Sequence, residues 1–112
     1  MCHYEGAKKA EKLINVTENT IETYNKCSGD IVKLTPKVYV LPEKPRNEDL
    51  RSGTFFILSE ETAEHLRAGG RALDDVAIIS RDSFGREHHT ITYFVWGNDP
   101  AKEVCLFHHD SR

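Results

Sequence analysis

Six histidines and three cysteines are the side chains here best able to ligate a metal or act as nucleophiles. Cys105 and His108 stand at C-x-x-H spacing, His88-His89 and His108-His109 are adjacent pairs, and Cys2, His3 and Cys27 lie far away in the chain. A structural zinc site normally offers two compact ligand pairs, and only Cys105 with His108 has that form. Adjacent histidines in a strand point to opposite faces, so at most one of each pair could serve a shared ion. The expectation is surface histidines, a core Cys105, no metal and no other cofactor.

Nucleophilic catalysis needs a Ser or Cys beside a His and an orienting carboxylate. No nucleophile-elbow pattern is present, and no cysteine sits at an electropositive helix start. Asp74-Asp75 and Glu60-Glu61 fall at helix edges, where capping or solvation accounts for them. Gly69-Gly70 lacks the lysine and spacing of a phosphate loop. The chain is therefore expected to bind and not to catalyse, with no catalytic residues.

Arginine is the stronger signal. Arg81 and Arg86 flank a turn with Phe84 between them, and two guanidinium forks with a ring can hold a nucleotide by ion pairing and stacking. A solvated turn with an exposed Phe is the competing account, and the residues alone leave both open. The overall charge of −3, from 15 basic and 18 acidic residues, argues against coating long nucleic acid, which calls for a basic excess. A local cluster can still hold a small anion.

The 112 residues suffice for one domain. No apolar run reaches the ~20 residues a bilayer needs, and the opening Met-Cys-His-Tyr-Glu-Gly carries no apolar leader core. An odd cysteine count without a leader points to reduced thiols in a cytosol. The expected fold is α+β, a mostly antiparallel sheet of short strands with one defined helix at about 59–68. Residues 1–12 are read as an N-terminal arm or short helix, and 13–112 as a single α+β binding domain.

Strands are expected at Leu13–Val16, Thr20–Tyr24, Ile31–Leu34, Lys37–Val40, Gly53–Ser59, Val76–Ser80, Thr90–Trp96 and Glu103–Phe107, from β-branched, aromatic and period-two patterns. Asn25–Gly29 and Gly97–Pro100 are turn chemistry. Pro42–Arg51, with two prolines and six charges, reads as a loop that could form a ligand-facing flap. Ser59 caps the helix, Glu60 and Glu61 complement its dipole, Ala63 and Leu66 form its apolar stripe, and Gly69-Gly70 ends it. Val76–Ser80 and Thr90–Trp96 should pair as a hairpin. Phe55 and Phe56 point to opposite faces of one strand, and Tyr93, Phe94 and Trp96 cannot all face inward. A second sheet or a partner subunit must cover the remainder, which favours a homodimer.

The order of these segments resembles a family of small phage proteins, the first-described Thoeris anti-defence type. The resemblance rests on Leu13-Ile14-Asn15-Val16-Thr17 followed by Thr20-Ile21, on Gly53 to Ser59 leading into a short helix, and on the Arg-Asp-x-x-Gly turn Arg81–Gly85. It extends over about residues 13–96. Glu18-Asn19 stands where the family has Pro-His, so no role of that histidine is carried over. The resemblance implies a homodimer or higher homo-oligomer in the host bacterial cytoplasm. Such a protein would sequester a cyclic nucleotide signalling molecule, such as a cyclic ADP-ribose isomer or a cyclic oligonucleotide, without cleaving it. Under that implication Arg46, Arg51, Arg81 and Arg86 would contact phosphates, Phe55, Phe84 or Trp96 would stack on the base, and Asn98 would join them. These assignments come from side-chain chemistry, not from matched motif positions.

An alternative is a protein-binding inhibitor, such as an anti-CRISPR or antitoxin-like module, masking a basic partner. Glu43, Glu48, Asp49, Glu60, Glu61 and Glu64 would supply its acidic belt. A weak hydrolase is a third reading, which turnover of the messenger would reveal.

Overall fold

In the computed structural model, residues 7–79 and 90–108 are described. They form strands β1 (Lys8–Ala10), β2 (Lys12–Asn15), β3 (Ile21–Tyr24) and β4 (Ile31–Leu34), helix α1 (Asn47–Ser52), strand β5 (Thr54–Ser59), helix α2 (Glu60–Ala68), and strands β6 (Val76–Ile79), β7 (Thr90–Ile91), β8 (Phe94–Trp96) and β9 (Glu103–Leu106). Six strands make one sheet in the order β1-β9-β8-β6-β5-β2, and three make a second, β4-β3-β7. No described helix is long and apolar enough to cross a membrane.

The larger sheet is organised by β5. Its run Thr-Phe-Phe-Ile-Leu is buried at every position before Ser59, which requires cover on both faces, as parallel strands obtain. β5 pairs in parallel with β2 and with β6. One face carries Phe55, Ile57, Ala77, Phe94, Val104 and Leu106 into a core shared with Ile21 and Ile91 of the second sheet. The other carries Leu58, Val76 and Ile78 under Ala63 and Leu66 of α2, with Leu41 at the margin.

The α+β class, the central burial of β5, the helix over 59–68 and the β6–β8 antiparallel pairing agree with the sequence reading. The ladders themselves are mixed rather than chiefly antiparallel: β1–β9, β2–β5, β3–β7 and β5–β6 are parallel. Residues 8–10, expected in a helix or loose arm, form β1 because Ala10 is wholly buried in the main core. Thr90–Trp96 is two strands, not one. Thr90 and Ile91 belong to the smaller sheet and Phe94–Trp96 to the larger, so the chain changes sheets at Thr92-Tyr93.

Lys37–Val40 is not a strand. It is part of a strap, bracketed by Pro36 and Pro42, held to the edge of β2 by the Lys37 amide donating to the Asn15 carbonyl at 2.9 Å. The expected flap at 42–51 contains α1, whose acidic first turn (Glu48, Asp49), terminal Arg51 and left-handed Gly53 cap (φ 72°) make a complete helix signal inside a proline-rich stretch.

α2 starts as expected, with the Ser59 hydroxyl accepting from the Thr62 amide at 3.3 Å. Ser59→Ala should lower stability by about 0.5–2 kcal/mol in thermal unfolding, the usual loss of a serine cap.

Candidate functional site: a hollow beside helix α2

α2 lies over β5 and β6 and leaves β8 and β9 uncovered on the same face. The result is a hollow of about 370 Å³ lined by Glu60, Glu64 and Arg67 of the helix, Ile78, Tyr93 and Val95 on the sheet side, and Glu103 with Pro100 and Ala101 at the far wall. Trp96 borders it. The spacing 60, 64, 67 places all three helix residues on one flank, one turn apart.

Arg67 is already committed. Its Nη2 donates to the Gly97 carbonyl at 2.7 Å and its Nη1 is ion-paired with Glu64. With three carboxylates around one paired guanidinium, the hollow is net negative. Its floor is apolar, from Ile78 and Val95, and its one aromatic wall that does not also serve the core is Tyr93.

The Trp96 ring packs against the core between the sheets, with Lys8 Nζ 4.2 Å and Lys102 Nζ 5.8 Å from its centroid. The indole Nε1 donates to the Asp74 carbonyl at 2.8 Å. Beyond it, Gly97 approaches so closely that a Cβ there would meet the Leu73 side chain at 2.6 Å. Asn98 completes this join: its Oδ1 accepts from the Leu73 amide at 3.0 Å and its Nδ2 donates to the Asp74 carboxylate. Trp96 and Asn98 are thus brought together, and both are occupied in tying β8 to the loop before β6.

The remaining candidates are dispersed. Phe55 is 7% exposed and belongs to the main core, so it cannot stack on a base. Phe56, on the opposite face, lies under Tyr39 of the strap with ring centroids 5.2 Å apart. The chain itself therefore covers both phenylalanines, and they give no reason for a partner subunit. Arg46 is held at the start of α1 by Asp49 at 2.8 Å, Glu48 at 3.6 Å and the Tyr39 hydroxyl at 3.3 Å. The hydrogen bond to Asp49 raises its pKa further and keeps it charged. Arg51 is exposed in the last turn of α1. Arg81, Phe84 and Arg86 lie outside the described residues.

Among the described residues no three His, Cys, Asp or Glu side chains gather as a metal site. His108 points its Nδ1 at the Glu11 carbonyl, 3.0 Å away, while Cys105 is buried. Burial pushes the Cys105 thiol up to about 11, with Lys26 opposing and Glu103 adding, so at neutral pH it is a protonated and poor nucleophile.

Tyr93, Glu60, Glu64, Arg67 and Glu103 were not singled out together from sequence. The helical spacing of 60, 64 and 67 was legible, but Glu103 and Tyr93 reach them only through sheet pairing. In comparisons with family models, curated proteins and solved structures, nothing matches this chain.

Proposed function

We propose that the protein is a phage anti-defence binder that sequesters a small cyclic nucleotide messenger in the host bacterial cytoplasm without cleaving it. The observation that carries this reading is the hollow beside α2. Its volume lies near the lower end of the ~300–1,000 Å³ typical of small-molecule sites and suits a base and its sugar rather than a whole dinucleotide. Tyr93 offers a stacking face, and Glu60 and Glu103 offer acceptors for the amino and hydroxyl donors of a nucleoside. The acidic lining keeps phosphates outside. Arg81 and Arg86 fall in the segment that joins Ile79 to Thr90, between two wall residues of the hollow, Ile78 and Tyr93. In this reading they contact the phosphates, the role expected of them from sequence, and Arg46 does not.

A second reading is favoured by the same carboxylates. Glu60, Glu61 and Glu64 are exposed on α2, and a protein inhibitor could dock a basic partner on them, although Glu64 is already paired with Arg67.

Titration with cyclic ADP-ribose isomers separates the two. A ligand present at about a hundred times its dissociation constant adds about 2.7 kcal/mol of stability, so the melting temperature should rise with nucleotide alone. The fluorescence of the single tryptophan should change with it. Tyr93→Ala should abolish both responses and leave the unliganded protein folded, and the nucleotide should be recovered intact after heating. No thermal shift with any isomer, or a cleaved product, overturns the proposal. A shift seen only with a basic protein, and lost in salt, favours the second reading.

A further inference from the structure

We propose that the hollow beside α2 selects its nucleotide by the exocyclic amino group of the base, with Glu60 and Glu103 as the specificity-determining residues. Adenine is held and its deaminated counterpart, hypoxanthine, is refused. This rests on the nucleotide-binding reading of the hollow and adds what decides between two guests of nearly the same shape.

The lining is one-sided in its hydrogen bonding. Glu60 and Glu103 stand on opposite walls, and among the described residues neither carboxylate makes a hydrogen bond or an ion pair. Glu64 shares its carboxylate with Arg67. A carboxylate at neutral pH accepts hydrogen bonds and gives none.

The donors are largely spent. The Arg67 guanidinium is turned to the Gly97 carbonyl and to Glu64. Pro100 has no N–H, and the Ala101 amide donates to the Asp99 carboxylate at 3.0 Å. Ile78 and Val95 pair with each other inside the sheet, with a strand on either side, where the ladder takes up backbone donors. The Tyr93 hydroxyl is the remaining side-chain donor, and it can equally accept.

A guest must therefore bring the hydrogens. Adenine and hypoxanthine share one ring outline, so a hollow of about 370 Å³ cannot tell them apart by size, and both stack alike on Tyr93. They differ where adenine carries an amino group with two N–H donors and hypoxanthine a carbonyl oxygen. The amino group can donate to Glu60 or Glu103 in a charge-assisted bond. The carbonyl would set an acceptor against acceptors. An unpaired polar group inside a closed site is what lets hydrogen bonding discriminate where shape alone does not.

Calorimetric titration should compare each cyclic ADP-ribose isomer with its hypoxanthine counterpart, which has the same sugars and phosphates. Any isomer that binds should do so about tenfold to a hundredfold more tightly than that counterpart. Glu60→Gln/Glu103→Gln should narrow the difference, because a glutamine amide donates as well as accepts. Its circular-dichroism spectrum should be unchanged, since neither carboxylate has a partner to lose. Equal affinity for both bases overturns the inference and leaves the nucleotide reading standing. So does a double variant that keeps the wild-type preference. Failure of every isomer and every counterpart to bind defeats the nucleotide reading, and base selection with it.

Discussion

Asp75→Ala should lower the unfolding free energy by about 3–5 kcal/mol, as expected when one member of a buried ion pair is removed. The Asp75 side chain is completely buried, and that of Arg71 is 7% exposed. Both guanidinium Nη atoms donate to the carboxylate, at 2.9 and 3.1 Å. The same guanidinium donates through Nε to the Pro42 carbonyl at 3.0 Å, so the pair also anchors the end of the strap. Without the carboxylate, a cation stays enclosed with only the Pro42 and Ala72 carbonyls to satisfy it. Removing both charges together, as Arg71→Met/Asp75→Leu, should recover much of the loss, because the penalty comes from the orphaned charge. Urea denaturation of the three proteins measures this directly; equal losses in the single and double variants would show that packing, not charge, sets the cost.

Phe56→Ala should cost a similar amount, about 3–5 kcal/mol for a phenylalanine truncated in a closed core. Phe56 is fully buried and supports the ring of Tyr39. Its loss opens a void under the strap and removes the strap's seat, so local release accompanies the global destabilisation. Limited trypsin digestion should then cut after Lys37 faster than in Phe56→Leu, which keeps most of the volume. Equal cleavage rates would mean that the strap is held by Arg71 and Asn15 alone.

Where local chemistry decides the structure, the sequence was readable. Ser59, Glu60, Glu61 and the glycine pair define α2 within one stretch of chain, and the apolar run of β5 demands two covered faces. The strap and α1 differ from expectation for a reason visible in the residues: Val38-Tyr39-Val40 has strand composition, but prolines on both sides leave it one ladder bond, and the prolines before Asn47 mask a short helix. Strand direction was not accessible, because parallel and antiparallel pairing depend on which distant segments meet. The same is true of the hollow. Its helical flank is local, whereas Tyr93, in the link before β8, and Glu103 of β9 arrive by way of contacts that no short-range pattern encodes. The proposed stacking role of Phe55 failed because a Phe-Phe pair in a central strand is more simply explained by two cores, one on each face.

The position of β9 has a consequence for biosynthesis. Lys8 on β1 pairs with Val104 on β9, which also pairs with β8. A ribosome must therefore deliver nearly the whole chain before β1 has any neighbour in the larger sheet. Sheets closed by such distant segments form slowly, and until then the apolar edge of β8 is open to other nascent chains. Vectorial synthesis gives this molecule little head start; its yield in cells should respond more to chaperone supply and growth temperature than to the native-state stability measured in a cuvette.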